Sequence, residues 1–412
     1  MTYLSEFSEV EHKLCIELRS QEEHLSPPFE RSGHRMICDS EYLYLVGGYC
    51  PTYPGQLIRD VWRFNILTEE WCLVLPDSED DSEYSPSEMA SFAMCSDGLR
   101  RVQNIYVFGG SSVPFGHRSS SCVSVLRRIE NKENSFKWDL LPTDGNKPFE
   151  QYGSSILYCD SSIYLFGGTT GFEFNMEVRR LLPKVEKRYA AHDPPSISDV
   201  SEERQYWNWR LLNDGKEEDG RYKHECILFG RVVLILGGGI PSRAETFDQI
   251  LAYNMDTNAF YHQPTFPDEN YGYPKARLCH SCVKCDNRVL MCGGCSEQYG
   301  RQMLPDLYDD VWDLNLSTWR WSKMEHKRLT HKVCFHSSAL TEDGCWYVFG
   351  GAIDQAFRKR TNLLQRVWLK PPSLYFLAAK AIVSFYHEVF DTFRVEVTVN
   401  NIVSLVAKYI YS

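Results

Sequence analysis

Six times along the chain a run of five mostly apolar residues, rich in aromatic and β-branched side chains, ends in two glycines. The copies are YLYLVGG at 42–48, NIYVFGG at 104–110, SIYLFGG at 162–168, VVLILGG at 232–238, RVLMCGG at 288–294 and CWYVFGG at 345–351. Their first glycines, Gly47, Gly109, Gly167, Gly237, Gly293 and Gly350, follow one another at intervals of 62, 58, 70, 56 and 57 residues. A short apolar run stopped by residues that tolerate unusual backbone angles predicts a buried strand leading into a sharp bend. Six copies at a near-constant period predict a repeat architecture.

Polar and aromatic positions recur around each run. A His or Ser precedes the first glycine by thirteen residues at His34, Ser154, His224 and His280, by fourteen at His336 and by eighteen at Ser91. A second strand follows with Trp62, Tyr253, Trp312 or Trp368, and a third aromatic stands at Trp71, Trp138, Trp209, Phe260 or Trp319. With the leading strand counted, each repeat resembles a four-stranded kelch-type blade, its aromatics filling the gaps between sheets. The expected fold is all-β: a six-bladed kelch β-propeller followed by a short C-terminal α-helical tail. The expected boundaries are a disordered N-terminus at 1–11, the propeller at 12–370 and the tail at 371–412.

The last repeat lacks an outer strand, because Pro371 and Pro372 follow soon after Trp368. The alternation of Leu14, Ile16 and Leu18 makes His12–Leu18 the expected strand that completes it and closes the ring. The acidic stretch DSEDDSE at 77–83 reads as a solvated loop. The stretch PKVEKRYAAHDPPSISDVSEERQY at 183–206 lengthens the third repeat and reads as a flexible loop on the rim.

Beyond the prolines the period changes. Leu374, Leu377, Ala378, Ala381, Ile382 and Phe385 recur at helical spacing, with Ser373 placed as the N-cap. A second helix is expected from Asn401 to Tyr411. The tail either folds back on the propeller or offers an amphipathic helix to a partner.

Composition narrows the function. A net charge of −11 argues against a general nucleic-acid binder. No apolar run is long enough to span a membrane, so no membrane partner is expected. Fifteen cysteines without an N-terminal apolar segment are expected to be reduced thiols, in the cytoplasm or nucleus. Cys279, Cys282 and Cys285, followed by Cys292 and Cys295, admit a zinc reading. The first three fall in one expected strand whose faces alternate, so structural thiols are expected and no metal or other cofactor is implied. No nucleophile–base pair or phosphate loop is evident, and a metal-dependent oxidase would need His and Tyr gathered at the centre. The recurrent histidines instead share one structural position, so a non-catalytic recognition protein is expected.

The residues one to three places before that position include Arg31, Ser32, Tyr152, Arg221, Tyr222, Lys223, Arg277 and Phe335. They are expected to line one mouth of the central channel as a basic, aromatic pocket. Arginine's planar fork suits a peptide's terminal carboxylate, with Arg221 and Arg277 the foremost candidates.

Ser373-Leu374-x-x-Leu377-Ala378-x-x-x-Ile382 resembles the BC-box by which ubiquitin-ligase substrate receptors bind elongin C, with Ala378 where that motif usually carries Cys. The propeller also resembles the kelch-repeat substrate receptors of cullin 2–elongin ubiquitin ligases. The resemblance rests on Arg31-Ser-Gly-His34-Arg35, Gly47-Gly-Tyr49, Val113-Pro-Phe115-Gly116 and Gly167-Gly-Thr-Thr-Gly171. It continues at Arg221-Tyr-Lys-His-Glu225, Leu236-Gly-Gly-Gly239, Ala276-Arg-Leu-Cys-His-Ser-Cys282 and Lys359-Arg-Thr361. It implies binding to elongin C and elongin B, recruitment of cullin 2, and capture of substrate C-termini, commonly ending in glycine, for ubiquitination. The stretch 389–399 lacks the proline common in cullin-2 boxes. The alternative reading is a kelch scaffold that binds actin or regulates a signalling kinase or phosphatase.

Overall fold

The computed structural model describes residues 6–15, 27–74, 85–98, 100–129, 135–189, 200–297 and 304–385. Six sheets of four or five strands, antiparallel except for one added parallel strand in blades one and three, form a six-bladed β-propeller with one short C-terminal helix. In each blade the leading strand and the Gly-Gly strand are paired neighbours. In blade one Arg35–Cys38 pairs with Tyr42–Tyr49, which pairs with Leu57–Asn65 and so with Glu70–Leu73. The apolar faces of adjacent blades bury one another, and Trp71, Trp209, Trp321 and Trp346 fill the gaps completely. In blade five the gap is filled by Trp321 rather than the expected Trp319. Trp319 occupies the turn at φ 53°, one residue before the strand Arg320–Arg328 begins.

The glycine pairs stitch blade to blade. The second glycine of each pair donates its N–H to a carbonyl entering the next blade: Gly48 to Met89, Gly110 to Gln151, Gly168 to Arg221, Gly238 to Arg277, Gly294 to Val333 and Gly351 to Arg31, all at 2.8–3.0 Å. That approach leaves no room for a side chain. A Cβ on Gly109, the first of its pair, would stand 2.4 Å from the Gln151 carbonyl oxygen of the next blade, at a φ of 68° that disfavours other residues anyway.

A second ring lies nearer the axis. Gly33, Ser91, Gly153, Lys223, Cys279 and Phe335 all adopt left-handed backbone angles between 56° and 67°. Each donates its N–H to the carbonyl of the same position in the preceding blade, and the chain of six bonds closes from Gly33 to Phe335 at 2.8–3.2 Å. The ring corrects one alignment. Ser91 belongs to this inner ring, and Phe92 takes the place that His34 and its equivalents hold.

The N-terminus closes the propeller differently from expectation. Ser8–Val10, in the stretch expected to be disordered, forms the outer strand of blade six, with Ser8 opposite Arg366 and Val10 opposite Leu364. From the expected strand His12–Leu18, Lys13–Leu14 adds in parallel to Glu70–Trp71 of blade one, and 16–18 lie outside the described residues. Alternation marked a strand, but the unpaired edge of Leu364–Trp368 decided which residues complete blade six.

Blade three's insertion is not a loop where it is described. Phe174–Tyr189 and Val200–Asn213 stay paired out to Tyr189 opposite Val200. Their register continues through Glu186 opposite Arg204, Lys187 opposite Glu203 and Arg188 opposite Glu202. The acidic stretch 77–83 and the expected helix at 401–411 lie outside the described residues.

Leu374–Phe385 is the expected tail helix. Ser373 caps it, its Oγ accepting the Phe376 N–H at 3.0 Å. Phe376, Ala379 and Val383, one face at helical spacing, are buried where blades six and one meet. None of the described helices is long and apolar enough to cross a membrane.

Candidate functional site

The inner ring frames one mouth of the central channel, lined by Gly33, Ser91, Lys223, Cys279 and Phe335 with His34, His280 and His336 behind them. Beneath it, Arg35 of blade one and Glu225 of blade four form an ion pair at 2.7 Å across the axis. Below that pair the channel opens into a cavity of about 260 Å³ lined by Ser155, Ser281, Ser337 and Ser338 among others.

The recurrent histidines are structural wedges. His34 donates from Nε2 to the Phe349 carbonyl at 3.1 Å, and His336 hydrogen-bonds the Ser281 hydroxyl at 2.8 Å. Each of the four lies against the first glycine of the preceding blade. Burial pushes all four pKa values down, those of His224 and His336 to about 3, so they are neutral.

The expected cations part company. Arg31 is fully buried and forks onto Asp60 at 2.5 and 3.0 Å, while also donating to the carbonyls of Gly47 and Phe29. Arg277 repeats the device on Asp310 at 2.7 and 3.1 Å, with the carbonyls of Gly293 and Lys275, beneath the Tyr308 ring. In both blades the same aspartate also accepts the indole N–H two residues on, from Trp62 or Trp312. The sequence put Arg31 and Arg277 in the pocket; the structure turns both side chains into the blades, because a carboxylate on the third strand uses their forks.

Arg221 stands at the same repeat position without that partner. The strand register aligns Gln249 with Asp60 and Asp310. Arg221 is 3.6 Å from Glu245, and its buried Nε has no hydrogen-bond partner among the described residues. Burial lowers its pKa.

Lys223 is the cation that the ring aims into the mouth. It is only 8% exposed, and no ion pair or hydrogen bond of its ammonium is found among the described residues. Its Nζ stands 5.2 Å from the centre of the Phe335 ring. Burial pushes its pKa down to about 8, against the pull of the Glu225 carboxylate.

Other aromatic residues near this repeat position pair with one another. Tyr152 and Tyr222 meet edge to face at 6.2 Å, and Phe174 lies 5.2 Å from Tyr222. Ser32 accepts a hydrogen bond from Arg360 Nε at 3.1 Å, and Arg360 sits over Tyr49. Phe115 stands against Tyr49 and is half-exposed, and Phe172 projects almost fully into solvent. The structure therefore brings Tyr152 and Tyr222 together, and Lys223 and Phe335 together. Ser32 joins Arg360, a residue the sequence reading had not placed in the site.

At the far end of the chain, the tail helix leaves Leu374 85% exposed, with Tyr375, Leu377 and Ala378 also exposed. Ile382 is turned partly toward the propeller and rests on its core, so the outward apolar face is Leu374, Leu377, Ala378 and Ala381.

Comparison with known proteins fits this architecture. The KLHDC2/KLHL20/DRC7 Kelch-repeats domain model matches residues 198–370, and the Kelch motif model matches 30–74. The chain is 34% identical over 370 residues to human Kelch domain-containing protein 10, covering 87% of this chain and 75% of that protein. The chain belongs to the kelch domain-containing protein 10 family. The Drosophila melanogaster homologue of kelch domain-containing protein 10 is 31% identical over 393 residues, covering 89% of this chain and 59% of that protein. Human Kelch domain-containing protein 1 is more distant, at 25% over 339 residues, covering 79% of this chain and 76% of its own length.

In this member of the kelch domain-containing protein 10 family the cysteine series is divided among packing sites. Cys279 precedes the strand Ser281–Cys285 rather than lying in it. Cys282 faces blade four, Cys285 and Cys292 face blade six, and Cys279 joins Cys295 and Cys334 at the mouth. The pKa of each of these six thiols is raised; at Cys295 a hydrogen bond with Cys279 pulls it down but is outweighed by the one with Cys334 and by burial, and at the other five burial is the main cause.

Proposed function

We propose that this protein is a non-catalytic substrate receptor of a cullin 2–elongin B/C ubiquitin ligase, holding the C-terminal end of its substrate at the channel mouth. The observation that carries the reading is the tail helix. A folded chain gains by burying Leu374, yet it stands at 85% exposure beside Leu377 and Ala378 while the opposite face is packed. An apolar stripe of that width, held in helical form, suits a partner's groove. Elongin C is the partner that Leu374 and Ala378, four residues apart on the outward face, fit, while Ile382 at the third position of the spacing is half-turned to the propeller.

On the substrate side, Lys223 supplies the charge. A lysine largely withdrawn from solvent, with no counter-ion among the described residues, and a left-handed lysine backbone each weaken the fold, and both occur at one residue facing the mouth. A terminal carboxylate would neutralise that charge, with Arg221 close in sequence and Tyr152 and Tyr222 leaving room for a small last residue.

The test has two arms. Leu374→Ala should lose elongin capture by about thirtyfold or more, an anchor truncation of about 2 kcal/mol, with unchanged thermal unfolding. Full retention of elongin would end the ligase reading in favour of a kelch scaffold. Separately, a peptide with a free C-terminal glycine should bind at least about tenfold more tightly than its amide, and Lys223→Met should erase the difference. Equal affinities for wild type would remove the carboxylate from the account.

A further inference from the structure

The seam where the ring closes is also where the helix docks, and one carboxylate touches all the parts. Glu69 lies in the turn between Leu57–Asn65 and Glu70–Leu73 of blade one. Asn65 builds that turn, its side-chain oxygen accepting the N–H groups of Leu67 and Thr68. Glu69 follows at φ 60°, with its own N–H on the Asn65 carbonyl. From there its Oε1 accepts Arg366 of blade six at 2.5 Å and also Lys380 of the helix. All three side chains are largely withdrawn from solvent. Burial pushes the Glu69 carboxyl up, but the bonds from Lys380 and Arg366 outweigh it and hold the pKa below the usual range.

The N-terminus meets the same place. Ser8 pairs with Arg366 itself, and Lys13 pairs with Glu70, the residue after Glu69. Val10, Trp71, Phe349, Leu364, Phe376, Ala379 and Val383 share one apolar cluster. The helix has only twelve residues, with no acid in its first turn and no base in its last. A helix that short holds little structure in water unless packing supports it.

We infer that Glu69 is a positioning residue that couples closure of the propeller ring to presentation of the helix's outer face. When blades six and one are zipped by the N-terminal strand, Arg366 and Lys380 converge on one carboxylate and the helix is held with Leu374, Leu377 and Ala378 outward. When the seam opens, the helix loses both its apolar seat and its ionic tether. The docking requires nothing of the partner; only its consequence for elongin rests on the reading above.

Amide hydrogen exchange on the full chain, without any partner, tests the coupling. In Glu69→Gln and in Lys380→Met, the helix amides at 377–385 should exchange at least about tenfold faster, while the central strands of blades three and four keep their protection. Lys380→Arg, which retains the pair, should restore the wild-type pattern; a purely steric role for Lys380 would not distinguish Arg from Met in this way. Deleting residues 1–10 should deprotect the helix together with Leu364–Trp368. Unchanged helix exchange in Glu69→Gln, or deprotection of Leu364–Trp368 alone in the deletion, would overturn the coupling. Leu374→Ala separates this inference from the ligase reading, since it should abolish elongin capture with helix exchange unaltered. If elongin never binds the wild type, the exchange results still decide the coupling.

Discussion

Blades four and five are neighbours built on one plan, and they treat the same cation in opposite ways. Both place an arginine three residues before the recurrent histidine, and both send its carbonyl to the preceding blade's second glycine. In blade five Asp310 neutralises Arg277 and completes its hydrogen bonds. In blade four Gln249 stands in the aspartate's place, Arg221 keeps an unpaired Nε, and Lys223 two residues on adds a second unneutralised buried charge. Blade five spends its cation on the fold. Among the described residues blade four's two cations share one ion pair, Arg221 with Glu245 at 3.6 Å, while the carboxylates of Glu218, Asp219 and Glu225 act from farther off, an arrangement that suits an incoming anion.

The largest effect should come from breaking the satisfied member. Asp310→Ala leaves the fully buried Arg277 fork without its carboxylate and should cost about 3–5 kcal/mol, as stranded buried charges do. Glu245→Ala in blade four removes a looser contact and should cost under about 1 kcal/mol. Denaturant midpoints of the two variants measure the contrast. Equal losses would mean that Arg221 is as firmly paired as Arg277.

Much of this was legible in the sequence, and what was not has a physical reason. The six Gly-Gly runs report a backbone requirement, and backbone requirements are periodic, so blade number followed from them. Ser373 and the helix after it were equally local and equally readable. The fate of an arginine is not local. Arg31 and Arg277 turn toward Asp60 and Asp310, partners 29 and 33 residues away on a strand two removed. A signal was present: Asp-Val-Trp recurs at 60–62 and 310–312 and fails at 249–251. Proximity to the histidine suggested one shared cavity, whereas Lys223 and Phe335 line it and the side chains of Arg31 and Arg277 turn into their blades. The closing strand was misplaced for a related reason. Ser8–Val10 contributes little pattern of its own and is chosen by the open edge it completes.

The middle effect concerns Lys223, and its sign is opposite. Replacing it with Met removes a buried unpaired charge, so the variant should be more stable, by up to about 3 kcal/mol below pH 8. The folded-state pKa of about 8 lies under the ordinary value near 10.5. Between those values the unfolded chain binds more protons at this site, so wild-type stability should rise with pH through that window. The variant should lack this rise, and the gap between the two should close above about pH 10.5. Carboxylate affinity of the wild type should fall over the same rise, as the lysine loses its charge. A Lys223→Met variant less stable than wild type at pH 7 would show that the lysine serves the fold, and the contrast between the blades would lose its stronger half.

The smallest effect would convert one blade into the other. Gln249→Asp places a carboxylate where Asp60 and Asp310 stand, within the same strand register and facing the arginine position of its own repeat. If blade four differs from blade five chiefly by this side chain, Arg221 should close its fork on the new aspartate. A charge-assisted pair that satisfies a buried donor should then add about 1 kcal/mol of stability. The same change should lower the affinity for a free C-terminal glycine several-fold, because the arginine's charge is now neutralised from within. Leu251, which holds the place of Trp62 and Trp312, offers no indole N–H to the new carboxylate, so the gain should remain below the loss seen in Asp310→Ala. Stability measured by denaturant and binding measured by peptide titration should move in opposite directions. A variant that gains stability with unaltered binding would confine the anion site to Lys223. One that gains nothing would mean that Gln249 and Arg221 do not face each other as their counterparts do.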